Sequence, residues 1–266
     1  MTLPRVLTIA GSAAQGSAGI QADLKTFQER DVYGMSAITA IVANNAKTEQ
    51  GIFTHPIDTI EAQVYAAHEH VGLDAAKTGM LFTEDIIVRV SELIKELSIP
   101  NIVVDPVMIG KMGSQLLKDD AIESFKEHML PLAKVITPNR MEAARLTSVE
   151  SIDTIQDMKE AAIQIKDIGP AYVLVKGGPL TENATDILYD GEKFYEIESH
   201  KIETIHTSGA GCTYSAAIAS ELAKGKTVEE AVQIAKQFIT YAIQHSLSFN
   251  RGIGSTHHGA MRKYNK

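Results

Sequence analysis

Cysteine is almost missing from this sequence: Cys212 stands alone. That excludes a disulfide scaffold and any zinc site built on several thiolates. It points to a reducing compartment, most simply the cytoplasm. Tryptophan is absent and aromatic residues make up 6% of the chain, which leaves little for stacking nucleic-acid bases. Basic residues are outnumbered, 25 Lys+Arg against 33 Asp+Glu, for a formal net charge of −8. A chain this acidic has no general attraction for nucleic acid or anionic lipid. The apolar start, Met1 to Ala10, meets Gly11 and Ser12 too soon for a signal peptide or a membrane span. No low-complexity tract and no solenoid-period repeat interrupts the rest. The expected partner is a small molecule, with neither nucleic acid nor membrane involved.

What is present is alternation. The 266 residues are 44% hydrophobic and 22% charged, enough to bury a sizeable core. Short β-branched runs read as buried strands: Val6–Ala10, Ser36–Val42, Ala75–Gly79, Asn101–Asp105, Ala133–Ile136 and Tyr172–Lys176. Helical patterns lie between and after them: Ile20–Glu29, Asp58–His70, Glu84–Leu97, Met158–Ile168, Cys212–Ala223 and Val228–Gln244. In Glu84–Leu97 the residues Ile86, Ile87, Val90, Leu93, Ile94 and Leu97 share one face, the signature of core packing. Asp190-Gly191, flanked by Asp186–Tyr189 and Lys193–Glu196, is a hairpin signal. Strand, crossover helix, strand, repeated, predicts an α/β fold: a mostly parallel central sheet with helices on both faces and an antiparallel edge late in the chain. No linker divides the sequence, so residues 1–266 read as one domain, with Tyr33–Gln50 and Lys111–Gln115 as segments for a small lid or flap.

In open parallel sheets, ligands bind beyond the carboxyl ends of the strands. Chemically loaded residues recur there: the Gly11–Gly19 loop, Asp105, Asn139 with Glu142, Lys176 with Gly177 and Gly178, and Gly209–Cys212. A loop glycine is usually a turn, and a strand-end Asp is usually a cap. Five such places at one end of one sheet are harder to dismiss. The segment Thr207-Ser-Gly-Ala-Gly-Cys212 is the most informative. Glycines before a helix let backbone N–H groups approach an anion, and the helix terminus adds partial positive charge. The same field is expected to lower the pKa of Cys212. Lys176 is either a point charge for a phosphate or a strand-end lysine facing solvent. Asp105, with Glu142 nearby, suits Mg2+ held directly or through water, although Glu142 also reads as an ordinary helix-start glutamate.

Other features fail on spacing. Gly225-Lys-Thr227 copies the tail of a phosphate-binding loop, but Ser220 stands where the earlier glycine belongs. Gly11, Gly16 and Gly19 do not follow the dinucleotide spacing. His257-His258 and His68/His70 lack metal spacing and read as surface residues.

At these residues the chain resembles the ribokinase-like superfamily, and within it the branch of hydroxymethylpyrimidine/phosphomethylpyrimidine kinases with the related pyridoxine (pyridoxal) kinases. The matching stretches run in family order through the whole chain: Leu7–Ser12, Ala18–Lys25, Tyr33–Met35, Lys77–Leu81, Asp105–Met108, Thr137–Asn139 with Glu142-Ala143, Val175–Gly178 and Gly209–Thr213. The resemblance implies phosphoryl transfer from ATP, with Mg2+, to the hydroxymethyl group of a heteroaromatic vitamin precursor. It implies that Asp23 binds the ring or its hydroxymethyl group, that Gly11, Ala18, Met80 and Val107 line the pocket, and that Asn44 stands where the ring is read. Asn139, Lys176, Gly178 and Ser208 would contact ATP. Gly209, Ala210 and Gly211 would cradle the transferred phosphoryl, with Cys212 at the position of the catalytic base. Asp105 and Glu142 would serve the metal. A homodimer is expected on the same ground.

The chain departs from the family pattern where Ala13 replaces an Asp in the first loop, where Thr207-Ser208 replaces Thr-His, and where Asn44-Asn45 replaces Gln-Asn. The region of the second cysteine found in some relatives reads Ile109-Gly-Lys-Met112. Phe27–Arg30, Lys77–Met80 followed by Thr83–Ile87, Tyr189–Glu192, Gly209–Cys212 and the tail Phe249–Ala260 look closer to the pyridoxine-kinase members. A B6 vitamer is therefore the expected substrate, with the thiamine-pathway pyrimidine, or both activities, as the alternative.

Overall fold

The computed structural model describes residues 3–110, 116–178 and 183–265. In chain order the elements are β1 (Arg5–Ala13), α1 (Gly19–Glu29), β2 (Tyr33–Val42), β3 (Ile52–Thr54), α2 (Ile57–His70), β4 (Ala75–Thr78), α3 (Glu84–Glu96), β5 (Ile102–Val104), α4 (Ile122–His128), β6 (Val135–Ile136), α5 (Arg140–Thr147), α6 (Ile155–Ile168), β7 (Tyr172–Lys176), β8 (Asn183–Tyr189), β9 (Phe194–His200), α7 (Ala210–Ala223), α8 (Val228–Gln244) and α9 (Ala260–Tyr264). Among the described residues nine strands form one sheet in the order β3-β2-β1-β4-β5-β6-β7-β8-β9. The run from β2 to β7 is parallel, and β3, β8 and β9 close the two sides antiparallel. The late hairpin turns at Asp190, whose carboxylate accepts from the Glu192 and Lys193 N–H groups. The antiparallel strand β3 at the opposite side has no signal of its own in the sequence, because three residues are too few to show alternation.

Strand alternation sorts side chains onto the two faces. Leu7, Ala76, Ile102, Val104, Val173 and Val175 meet the apolar stripes of α2, α3, α5 and α6 on one face. Val6, Ala75, Val103 and Leu174 meet α7, α8 and Phe27 of α1 on the other. The same two-residue period puts Thr8, Lys77, Lys176 and Asp186 on the α1/α7/α8 face. Polar groups on a face packed by helices need partners, and the partners they find shape the site. The Lys111–Gln115 part of the expected lid lies outside the described residues. The Tyr33–Gln50 part is largely strand β2, followed by the loop to β3.

Candidate active site

The start of α7 is built on glycine for a steric reason. Gly209 caps the helix at φ +80°, and a Cβ there would lie 1.7 Å from the carbonyl oxygen of Ser17. The start of α1 repeats the device: Gly19 has φ +58°, and its Cβ would lie 2.1 Å from the Gly11 carbonyl. The two helix N-termini therefore approach each other closely. They meet at Cys212, whose Sγ accepts the Gly19 N–H at 3.4 Å. The hydroxyls of Ser17 and Ser208 join the preceding loops at 2.9 Å. A C-terminal strap holds Ser208 from the other side, through its N–H to the Gly254 carbonyl and its carbonyl to the Thr256 N–H. The first-turn N–H groups of α7 have no carbonyl one turn back within the helix, and the helix field adds positive character where they point.

Charged side chains close the other side. Lys176 leaves the end of β7 with its Nζ 3.2 Å from Asp105 Oδ1 and 3.3 Å from where a Gly211 Cβ would stand. Asp105 also accepts from Thr137 Oγ1 at 3.2 Å and Ser215 Oγ at 3.1 Å. Burial pushes against its ionisation, but Lys176, with Lys77 behind it, outweighs burial and holds the carboxyl below its usual range. Lys176 itself is pulled down by burial and lifted more strongly by Asp105 and Glu142. Asn139 and Glu142 form a reciprocal cap on α5, at 2.9 Å and 2.8 Å. Burial lifts the Glu142 carboxyl to about 7, against the pull of Lys176.

Two expectations are corrected by the geometry. Cys212 was expected to have a lowered pKa. Burial instead pushes the thiol up to about 11, and Asp23 and Asp105 add to that against the pull of Lys77 and the Gly19 N–H. Cys212 is half-buried, and the helix terminus does not offset the burial of its thiol. Asp23 was expected to bind the ring or its hydroxymethyl group. Both its oxygens lie 2.8–2.9 Å from Lys77 Nζ, one also accepts from Thr8 Oγ1 at 2.7 Å, and the whole pair is buried. It forms part of the floor beneath Cys212 and is given to Lys77.

The structure places the other residues of the expected site as follows. Gly11 is buried within β1, and a Cβ on it would come 3.1 Å from Met80 Sδ, so Gly11 and Met80 are neighbours. Ala18 caps α1 in extended conformation, and Ala210 opens α7. Val107 is half-buried just after Asp105, its N–H on the Asp105 carbonyl. Gly178 has φ +61° with open space where a side chain would go. Asn44 is exposed in the loop after β2, over Gly51. His258, expected at the surface, is buried against Thr213. Sequence reading missed Lys77, Thr137, Ser215 and Asp186 as partners. For Lys77 a signal existed: a lysine inside the apolar strand Ala75–Thr78 must be paired or functional.

A mostly parallel sheet whose carboxyl ends gather a glycine-opened helix and a strand-end lysine paired with a carboxylate defines a small-molecule kinase of the ribokinase-like class. A family model of phosphomethylpyrimidine kinase matches residues 14–257. The pyridoxine kinase of Bacillus subtilis (strain 168) is 48% identical over 267 residues, covering 98% of each chain. The hydroxymethylpyrimidine/phosphomethylpyrimidine kinase of the same organism is 42% identical over 265 residues, 99% of this chain and 97% of that one. The pyridoxal kinase of Staphylococcus aureus, solved with AMP-PCP and pyridoxal, superposes with a TM-score of 0.91 at 41% identity, covering 99% of this chain and 96% of that one. The chain belongs to the phosphomethylpyrimidine kinase family and is an ATP-dependent kinase.

Proposed function

We propose that the chain transfers the terminal phosphoryl group of ATP to the hydroxymethyl group of a B6 vitamer (pyridoxine, pyridoxal or pyridoxamine). The convergence of two helix N-termini on Cys212, with Lys176 at 3.2 Å from Asp105 on the opposite side, carries the reading. Phosphoryl transfer spreads charge over the transferred group, and catalysis is mostly positioning and electrostatic stabilisation. The Gly209–Gly211 backbone would receive that charge, with Lys176, Asn139, Gly178 and Ser208 toward the nucleotide. Gly11, Ala18, Met80 and Val107 would line the ring pocket. Cys212 would take the proton of the attacking alcohol; a thiolate whose conjugate acid sits near 11 is a strong base, formed sparingly at neutral pH.

Mg2+ fits as an ion held mainly by phosphates and water. Among the described residues no group of three or more His, Cys, Asp or Glu side chains could hold a metal, whereas Asp105 and Glu142 offer two carboxylates beside Lys176. When bound, the ion would offset phosphate charge.

The B6 reading rests on 48% identity to a pyridoxine kinase against 42% to a pyrimidine kinase of the same organism. The pyrimidine reading stands second, because the whole framework is common to both. A coupled ADP assay with pyridoxine, pyridoxal and hydroxymethylpyrimidine in parallel separates them. We expect kcat/KM for a B6 vitamer at least tenfold above the pyrimidine. The reverse order transfers the assignment, and no turnover of any ring by folded protein ends it. The proposal takes residues 1–266 as one kinase domain, acting in the cytoplasm as a homodimer; sedimentation at micromolar protein tests the dimer. Among the described residues no helix is long and apolar enough to cross a membrane.

A further inference from the structure

Behind the nucleotide side of the site lies a buried carboxylate that phosphoryl transfer does not use. Asp186, on β8, is the register partner of Lys176 and lies on the same face of the sheet. Its Oδ1 accepts the N–H of Gly177 at 3.1 Å, and its Oδ2 accepts Lys236 Nζ, from α8, at 2.7 Å. Lys236 also donates to the Ala184 carbonyl at 2.9 Å, so its ammonium is fixed at both ends of the contact. The phenol of Tyr214, on α7, is buried beside the same carboxylate. One side chain thus ties the turn after β7 to α8 through Lys236, with the buried Tyr214 phenol of α7 nearby.

The turn it grips is built on two glycines, Gly177 and Gly178. Gly177 rests on β8 so closely that a Cβ would lie 2.1 Å from the Thr185 carbonyl, while a Cβ on Gly178 would meet nothing within 4 Å. The Gly177 N–H is held by Asp186, and a side chain on Gly178 would meet none of the described residues. Buried ion pairs contribute little net stability compared with apolar packing of the same shape. A carboxylate kept here for stability alone is poorly accounted for; one kept to aim a backbone peptide is well accounted for.

We propose that Asp186 is a positioning residue for the nucleotide: by holding the Gly177 N–H it sets the Gly177–Gly178 turn where the backbone receives an ATP phosphate, and Lys236 keeps the carboxylate in place. This rests on the ATP reading of the site. The test compares Asp186→Asn, Lys236→Met and the double variant with wild type. The readouts are KM for ATP, KM for the ring substrate, kcat, ADP affinity by calorimetry, and Tm. Asp186→Asn is expected to raise KM for ATP and Kd for ADP about tenfold, with KM for the ring within twofold of wild type. Lys236→Met shifts the same constants in the same direction. The double variant loses less than the product of the two singles, because both act through one contact. Lower Tm with unchanged ATP and ADP constants would assign the pair to stability alone and overturn the proposal. Should Asp186→Asn fail to fold, Lys236→Met, which removes the donor and leaves the Asp186 side chain in place, carries the comparison alone. Calorimetry needs no turnover. A wild type that phosphorylates none of the rings would therefore sink the kinase assignment, while ADP affinity in the variants would still decide the role of Asp186.

Discussion

Gly209→Ala isolates what the start of α7 does, because a matched control exists. Gly209 and Gly225 have nearly the same backbone, φ +80° and +83°. An alanine at either costs about 1–2 kcal/mol for the left-handed conformation. At Gly225 that is the whole cost, since a Cβ there meets nothing within 4 Å. For a chain of this size a loss of about 1–2 kcal/mol lowers Tm by roughly 2–8 °C. At Gly209 the Cβ would stand 1.7 Å from the Ser17 carbonyl oxygen. Backbone must therefore move by roughly an ångström or more, adding about 1–3 kcal/mol of overpacking. The movement separates the N-termini of α1 and α7, the two elements that meet at Cys212. A 1 Å displacement of a catalytic group is worth about 100-fold in rate. The expected result is kcat reduced about 100-fold in Gly209→Ala and unchanged in Gly225→Ala, measured by ADP release on samples shown folded by circular dichroism. If Gly209→Ala matches Gly225→Ala in kcat, α7 does not receive the transferred group.

Cys212→Ala is expected to lower kcat by about 100- to 1,000-fold with ADP affinity within twofold, because general-base removal costs that order and the nucleotide contacts lie elsewhere; near-normal turnover removes Cys212 from the mechanism. Iodoacetamide labelling of Cys212, read by mass spectrometry, should be on the order of 100-fold slower at pH 8 than for an unhindered thiol, and should rise about tenfold per pH unit between pH 8 and 10, as a thiol near 11 requires. His258 predicts acid lability. Burial first, then Lys25 and His257, bring its pKa down to about 4 against the opposing pull of Glu29, so the neutral ring is the folded form. Thr213 Oγ1 gives its proton to the Gly209 carbonyl at 2.8 Å, so His258 Nε2 is the donor across 3.1 Å. A lowered pKa contributes stability that is complete above the unfolded value of 6.5 and drains away as pH falls toward 4, about 3 kcal/mol in all. Urea unfolding at pH 7 and pH 4 should show wild type losing about that much more than His258→Gln; equal losses refute the assignment.

The long elements were legible because their periods are strong. Glu84–Glu96 buries the Ile86, Ile87, Val90, Leu93 and Ile94 stripe expected of it, and β7 begins and ends at Tyr172 and Lys176 as the apolar run indicates. The helix α4, seven residues with two buried, carries too short a pattern to be read locally. At the site, sequence placed Asp105, Lys176 and Gly209–Cys212 at one end of the sheet, where the structure has them. It misjudged the state of groups whose partners come from distant elements. Asp23 reads as an available carboxylate until β4 is laid beside α1, 54 residues apart, and Lys77 takes both oxygens. Cys212 reads as an acidic thiol from its local helix terminus, and the burial that reverses this comes from residues distant in sequence, Gly19, Asp23 and Asp105 among its neighbours. His258 reads as a surface residue until the C-terminal strap buries it against Thr213.

Among the described residues, the same face of the sheet carries three aspartate–lysine pairs: Asp23 with Lys77, Asp105 with Lys176 and Asp186 with Lys236. Their charges cancel, so the floor under the site carries no net charge from them. That cancellation matters more than the stability of any one pair, because buried pairs contribute little net. An unpaired aspartate there would oppose a phosphate arriving at α7, and an unpaired lysine would bind it in the ground state as firmly as in the transition state, which does nothing for kcat. With the pairs matched, the remaining oriented field is that of the helix N–H groups at Gly209–Cys212, fixed in place by the close approach of Gly209 to Ser17. The lysine facing the cleft, Lys176, is held by Asp105 before any ligand arrives, so it needs no reorganisation as charge develops on the transferred group. The neutral thiol follows from the same arrangement: Asp23 and Asp105 oppose the thiolate while Lys77 favours it, leaving burial to set the resting state of Cys212.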